Sequence, residues 1–295
     1  MTFGIIGNIA KPGIKDITKN LLAYLAKKNI SFVLHERLSQ FLKSADKSIS
    51  REIVSVSETE LPERCDLLIV LGGDGTMLAA THIVGKHEIP ILGVNLGKLG
   101  FLADVSVEEL HQCIGDILKG DYVVEERMVL QATGASDAQV FYGLNEVVID
   151  KGASPRVIEL ETYVNNDYLV TYAADGIMVT TPTGSTGYSL ATGGPLVAPQ
   201  SSVIIIAPIA PHTLTARPVI VPEASVIKVI AKSPSKSVHI TADGQIEAFY
   251  SVPAEFEVRK ADYNVKLVKG KRHTFYDLLR TKLMWGRDVR VGTGK

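Results

Sequence analysis

The chain has 295 residues, 46% of them hydrophobic and 21% charged, which is material for two domains with real cores. A formal net charge of -1 removes any global-charge argument for nucleic acid as a partner. The two cysteines, Cys65 and Cys113, sit in no CxxC or Cys/His spacing, so they read as reduced thiols and exclude a disulfide framework.

Residues 3–7 read as a strand, and Lys11 and Lys15 follow too soon for a secretory signal. Ile14, Ile17, Leu21, Tyr24 and Leu25 recur at helical spacing and predict an amphipathic helix. Residues 31–35 and 67–71 read as strands, residues 76–85 as a helix, 90–94 as a strand and 107–118 as a helix. Strands alternating with helices predict a parallel sheet covered on both faces, and apolar runs without period-2 alternation suit such a buried sheet.

The character changes near Asp121. Short β-rich runs follow at 129–133, 140–142, 146–149, 156–164, 168–173, 177–181, 203–206, 226–230, 238–242 and 256–260, separated by turn residues such as Asn165-Asn166-Asp167. That series predicts an all-β domain of two packed sheets. The longest apolar run, 203–210, is too short to span a bilayer and contains Pro208. Residues 276–283 read as a helix that returns to the first domain, and the tail 292–295 as disordered. The expected architecture is an α/β domain with a parallel sheet over 1–121, with 270–295 packing back on it, plus a β-rich domain over 122–269. With no targeting signal, the expected location is the cytoplasm, without membrane contact.

Four stretches carry polar chemistry. The apolar run 67–71 ends in Gly72-Gly73-Asp74-Gly75-Thr76. A strand, a glycine turn and a helix start present free N–H groups to phosphate. Asp74 would repel that phosphate unless it does chemistry or meets a metal, which points to phosphoryl transfer. Asn145-Glu146 opens an apolar run and reads equally as a turn with a solvated charge or as a reader of a base or sugar hydroxyl. Asp175-Gly176 and then residues 180–189, with Thr183, Thr186, Gly187 and Tyr188, alternate hydroxyls and glycines as no core strand can. They read as a shaped loop for a polar ligand. Asp243-Gly244-Gln245 taken alone reads as a hairpin turn.

Together these stretches resemble the bacterial NAD kinases. The matching elements are residues 71–76, Asn95 to Leu102 including Lys98 and Leu99, Asn145-Glu146, residues 181–189, Ala216-Arg217-Pro218 and Asp243-Gly244-Gln245, in the same order, and the likeness extends over residues 276–286. The Gly-Gly-Asp-Gly-Thr element is shared with lipid kinases of the diacylglycerol and sphingosine type. The Thr-Pro-Thr-Gly-Ser-Thr element discriminates.

The resemblance implies transfer of phosphate from ATP, or in some members polyphosphate, to the 2′-hydroxyl of the adenosine ribose of NAD. Asp74 would orient that hydroxyl and accept its proton. Gly72, Gly73, Gly75 and Thr76 would hold the donor phosphates, with Mg2+ on the donor and no all-protein metal cage. Asn145 and Glu146 would contact NAD at a ribose. Thr183, Thr186, Gly187 and Tyr188 would line the dinucleotide site, and Gly187 stands where other members carry alanine. Asp175 would face the nicotinamide side, Asp243 and Gln245 would complete the site, and Phe101 would flank adenine or serve as a core aromatic. Arg217 would meet a phosphate or pair within its loop, and His212 reads as structural. Homodimers or homotetramers are implied, assembling through the β-domain. Two other classes stay open: a lipid kinase, which this chain equips with no polybasic or amphipathic membrane segment, and a dinucleotide sensor without turnover.

Overall fold

A computed structural model describes residues 1–45, 53–97, 100–135, 139–270 and 274–284. Lys98, Leu99, the end of the C-terminal match beyond residue 284 and the tail 292–295 lie outside the described residues. The chain divides into two compact units: Met1–Glu125 with the described residues from Lys266 on, and Glu126–Val265.

The first unit contains β1 (Thr2–Gly7), α1 (Ile14–Lys27), β2 (Ser31–His35), α2 (Glu36–Ala45), β3 (Ser55–Val56), β4 (Leu67–Gly72), α3 (Asp74–Val84), β5 (Ile91–Asn95), β6 (Val105–Ser106) and α4 (Leu110–Leu118). The strands form a parallel sheet in the order β3-β2-β1-β4-β5. The order reverses between β1 and β4, and the residues after the carboxyl end of β4 therefore stand at a topological switch point, where open α/β sheets bind ligands. Side chains alternate across β4. Leu67, Ile69 and Leu71 join one core with Leu21 and Leu25 of α1, Leu38 and Leu42 of α2, and Ile114 and Ile117 of α4. The opposite face receives α3, since a Cβ at Gly93 would come within 2.7 Å of the Met77 sulfur.

Two boundaries differ from the sequence expectation. Helix α3 begins at Asp74 rather than at residue 76, because the Gly73 carbonyl already accepts from Thr76 and Met77 N–H. Helix α4 begins at Leu110, because Val105–Ser106 pairs with β5 first. Helix α2 was not expected, although Leu38 and Leu42 carry the i, i+4 signal.

The second unit takes in β7 (Val123–Gly134), β8 (Val140–Gly143), β9 (Glu146–Asp150), β10 (Ile158–Val164), β11 (Asp167–Ala174), β12 (Gly176–Thr180), the short α5 (Tyr188–Ala191), β13 (Val203–Ile209), β14 (Val219–Pro222), β15 (Ile227–Lys232), β16 (Ser237–Ala242), β17 (Ile246–Ser251) and most of β18 (Ala254–Lys269). One antiparallel sheet runs β11-β10-β15-β18 and continues through β7 to β8. The other runs β14-β13-β12-β9-β16-β17. Leu160 and Phe256 of the first sheet share one core with Ile177, Ile206 and Ile240 of the second, as expected of two packed sheets. The alternating burial of β16 and β18 fits one covered face, whereas β12 is buried throughout. The edge strands β14 and β17 were not expected, being short and interleaved with polar residues or proline. The last residues of β18, Leu267 and Val268, belong to the first unit and pair with β5 in parallel. Helix α6 (Phe275–Leu283), also in the first unit, opens on a capping box between Thr274 and Asp277 and buries Leu278 and Leu279.

Phe256 is fully buried and meets Tyr250 edge-on with centroids 5.0 Å apart. Phe256→Ala is expected to cost about 3–5 kcal/mol, read as a lower urea midpoint with an unchanged slope.

Candidate active site

The polar residues singled out in the sequence gather into two constellations, one in each unit.

In the first unit Gly72 ends β4, and Gly73 and Asp74 start α3. A Cβ on Gly72 would collide with the Thr76 side chain, whereas Cβ positions at Gly73 and Gly75 meet nothing within 4 Å. The turn is therefore tight on its inner side and open on its outer side. The Asp74 carboxylate is held by the loop after β5. Phe101 N–H donates to Oδ2 at 2.9 Å, and Leu102 and Ala103 N–H donate to Oδ1 at 3.0 and 3.3 Å. Gly100 permits this wrapping, because a side chain there would strike Oδ1 of Asp74. Asn95 stabilises the same loop by accepting from Gly97 N–H at 2.7 Å. Phe101 is half-buried and faces Phe275 of α6, centroids 6.5 Å apart. Lys282, which the sequence reading overlooked, brings its ammonium 3.8 Å from Asp74 Oδ2 and 5.1 Å from the Phe101 ring centre.

In the second unit Asn145 and Glu146 lie at the start of β9. Their backbone is clamped by Asp243, which accepts from Leu144 N–H at 2.8 Å, Asn145 N–H at 2.7 Å and Glu146 N–H at 3.2 Å. Asp243 is both the hairpin residue expected between β16 and β17, with φ +53°, and a buried clamp on a segment far away in sequence. Gln245 N–H closes that hairpin onto the Ala242 carbonyl.

Thr181 ties the hydroxyl-rich loop to the same place. Its hydroxyl donates to the Leu144 carbonyl at 2.6 Å and accepts from Gly184 N–H at 3.1 Å, while its own N–H donates to the Asn145 carbonyl at 2.9 Å. Gly184 packs directly on that carbonyl, so any side chain there would displace Asn145. Ser185 is spent structurally, donating to the Pro182 carbonyl at 2.7 Å and accepting from Val197 N–H at 3.1 Å. Thr186 donates to the Thr183 carbonyl at 3.3 Å. A Cβ at Gly187 would lie 3.8 Å from Asn145 Nδ2 and 3.9 Å from Glu146 Oε2, so the glycine leaves room beside both polar groups. Tyr188 is exposed at the start of α5.

Four buried polar atoms of this constellation have no partner among the described residues: Glu146 Oε2, Thr180 Oγ1, Thr183 Oγ1 and Ser189 Oγ. Unsatisfied buried groups are rare in a folded chain and are expected where a ligand completes the bonding. Burial, reinforced by the neighbouring Asp243 charge, pushes the Glu146 carboxyl up to about 8.

The remaining expected residues sit otherwise. Asp175 forms a 2.7 Å ion pair with Lys151, a partner its sequence surroundings did not signal. Arg217 donates through one nitrogen to the Leu214 and Ala216 carbonyls of its own loop, at 2.8 and 2.7 Å. His212 anchors its loop through its backbone N–H to the Ala173 carbonyl. Among the described residues no group of three or more His, Cys, Asp or Glu is placed to hold a metal ion.

Family models match segments of both units. Residues 3–122 match the ATP-NAD kinase N-terminal domain and residues 144–270 the ATP-NAD kinase C-terminal domain. An NAD kinase of Geobacter sp. strain M21 is 41% identical over 286 residues, covering 96% of this chain and 98% of the relative. One from Geotalea daltonii is 37% identical over 285 residues with the same coverage. Among solved structures, yeast NADH kinase complexed with NADH aligns with a TM-score of 0.89 at 24% identity, over 99% of this chain and 89% of that one. An NAD kinase from Archaeoglobus fulgidus in complex with ATP aligns with a TM-score of 0.73 at 24% identity, over 92% and 94%. The two structures share the fold, and the family models and bacterial relatives extend over nearly all of the sequence: the chain belongs to the ATP-NAD kinase family.

Proposed function

We propose that this protein transfers the terminal phosphoryl group of ATP to the 2′-hydroxyl of the adenosine ribose of NAD, giving NADP and ADP. The family membership supports the reaction. Two observations carry the residue roles: in the first unit, Asp74 held by backbone N–H groups on an open glycine turn, and in the second, the partnerless buried polar atoms of Glu146, Thr180, Thr183 and Ser189.

In this reading Asp74 orients the acceptor hydroxyl. As the 2′-oxygen bonds to the γ-phosphorus and the bridging P–O bond to ADP breaks, the hydroxyl proton passes to the Asp74 carboxylate. A carboxylate is a weak base, so it helps late, when that oxygen has become acidic. Positioning supplies the larger share, and three loop N–H groups holding one carboxylate are a positioning device. The open outer side of Gly73 and Gly75 receives the donor phosphates, whose Mg2+ arrives as part of the MgATP substrate. Thr76, whose side chain packs on Gly72, fixes the turn.

Glu146 receives a ribose hydroxyl, and its protonated carboxyl both donates and accepts there. Asn145, Thr183, Thr186, Gly187 and Tyr188 line the dinucleotide, and Asp175 faces its nicotinamide side with Lys151 as counter-charge. Asp243 and Gln245 act by holding the Asn145-Glu146 backbone. Phe101 flanks the adenine, and Arg217 rigidifies its own loop. Polyphosphate is an alternative donor for the same turn. The enzyme works in the cytoplasm, on two soluble nucleotides, as a homodimer or homotetramer. The edge strands β11, β14 and β17, with exposed Tyr168, Ile220 and Phe249, are suited to assembly.

Asp74→Asn is expected to lower NADP formation by roughly 10²–10⁴-fold, measured by coupling NADP to an NADP-specific dehydrogenase, and to lower the melting temperature as well, because an amide keeps only one acceptor oxygen for the three N–H groups of residues 101–103. Wild-type turnover in that variant would remove Asp74 from the chemistry. Light scattering behind size exclusion should return the mass of two or four chains.

Glu146 also predicts a pH signature. From about pH 4.5 to about pH 8 the folded chain keeps the Glu146 proton that the unfolded chain has released. The native state binds more protons there, so this group makes stability fall as pH rises through that window. Glu146→Gln carries no such proton, and its melting temperature should decline less across the same range. Parallel melting curves for the two proteins would contradict a buried, protonated Glu146.

A further inference from the structure

Lys282 comes from the C-terminal helix, yet it is the described residue that ion-pairs with Asp74. The pairing is loose. At 3.8 Å from Oδ2 the ammonium is beyond hydrogen-bond distance, and both Asp74 oxygens already accept backbone N–H groups from Phe101, Leu102 and Ala103. The carboxylate therefore does not need Lys282 for its hydrogen bonding, and the lysine does not spend its donors on the carboxylate.

The position is nevertheless built. Helix α6 is started by the Thr274–Asp277 capping box, with Arg280 bonded to Asp277 on the same helix, and is anchored by buried Leu278 and Leu279. Phe275 and Lys282 are seven residues apart and so share one helix stripe. Both reach Phe101, whose N–H holds Asp74. The Lys282 side chain, a quarter exposed, brings its ammonium beside both the Phe101 ring and the carboxylate. A cation held 5.1 Å from the Phe101 ring centre is also favoured by the ring itself.

We propose that Lys282 is a phosphate-contacting catalytic residue: its ammonium meets the phosphoryl group as it passes to the acceptor oxygen beside Asp74. The inference rests on the phosphoryl-transfer reading above. Bringing a polyanionic donor up to an aspartate is self-defeating unless fixed positive charge stands next to both, and such charge acts most strongly where transition-state charge collects. Lys282 supplies that charge, with its donors still available. No covalent bond forms to the lysine, and the proton still goes to Asp74.

The test compares full-length wild type, Lys282→Met and Lys282→Arg. Methionine keeps an apolar stem against Phe101 and removes the charge, and arginine restores charge. Loss of about 10²-fold in kcat is expected for Lys282→Met, with weaker MgATP binding by calorimetry, a KM for NAD within about twofold of wild type and a melting temperature within about 2 °C. Lys282→Arg should recover part of the kcat. Wild-type kcat and MgATP affinity in Lys282→Met would overturn the proposal. So would a loss of kcat that follows a fallen melting temperature and that Lys282→Arg does not relieve, since that pattern marks a helix anchor. If wild type itself makes no NADP, the underlying reading fails, and MgATP binding then decides alone: equal affinity in wild type and Lys282→Met overturns the role of Lys282.

Discussion

Each constellation depends on a carboxylate that gathers three consecutive backbone N–H groups. Asp74 accepts from residues 101, 102 and 103, and Asp243 from residues 144, 145 and 146. Successive N–H groups converge on one point only when the backbone curls around it, so each aspartate fixes a turn that leads into a strand, β6 in the first unit and β9 in the second. Hydrogen bonds to charged groups are worth roughly 1.5–3 kcal/mol each, and they act here together with the burial of Leu102, Ala103 and Leu144. The two clamps differ in what else the carboxylate faces. Asp243 is buried and fully occupied in shaping the segment before β9, whereas Asp74 stays partly open beside a turn with empty space on its outer side.

The second unit also keeps a buried acid close to the buried Asp243 charge. Two carboxyls in one low-dielectric region cannot both ionise cheaply. Asp243 has three N–H donors, while Glu146 retains a partnerless oxygen and is driven toward its neutral form. The clamp therefore sets the position of Glu146 and adds to the burial that drives its carboxyl toward the neutral form. A neutral carboxyl suits a sugar hydroxyl better than a charged one in this setting, because it offers both a donor and an acceptor.

Local chemistry was legible in the sequence and long-range clamps were not. The run 67–71 ending in glycines announced a buried strand and an anion turn, and the structure has β4 and the start of α3 there. The spacing of Ile14, Leu21 and Leu25 announced α1. Asn145-Glu146 read as evenly balanced between turn and ligand reader, since what decides its shape lies nearly a hundred residues away in Asp243. Asp243 itself read as a plain hairpin turn, which it also is; no local pattern carries its second duty. The Lys151 partner of Asp175 and the Lys282 partner of Asp74 escaped for the same reason, as lone lysines on exposed-looking segments. Strand β14 escaped because Pro218 and Pro222 bracket only three apolar residues, and β17 because Glu247 interrupts a short run.

Strand β18 serves both units in turn: residues 254–258 pair with β15, and Leu267 and Val268 pair with β5. By connectivity the second unit is thus an insertion within the first. During synthesis, the residues that begin the parallel sheet emerge first, yet that sheet gains Leu267, Val268 and the α6 anchor only after the whole β-rich unit has been made. The earliest part of the chain is the last to be completed. Until then β5 presents part of an open edge, and Asp74 has no cation from the C-terminal helix, so a nascent or shortened chain carries the glycine turn without the finished site.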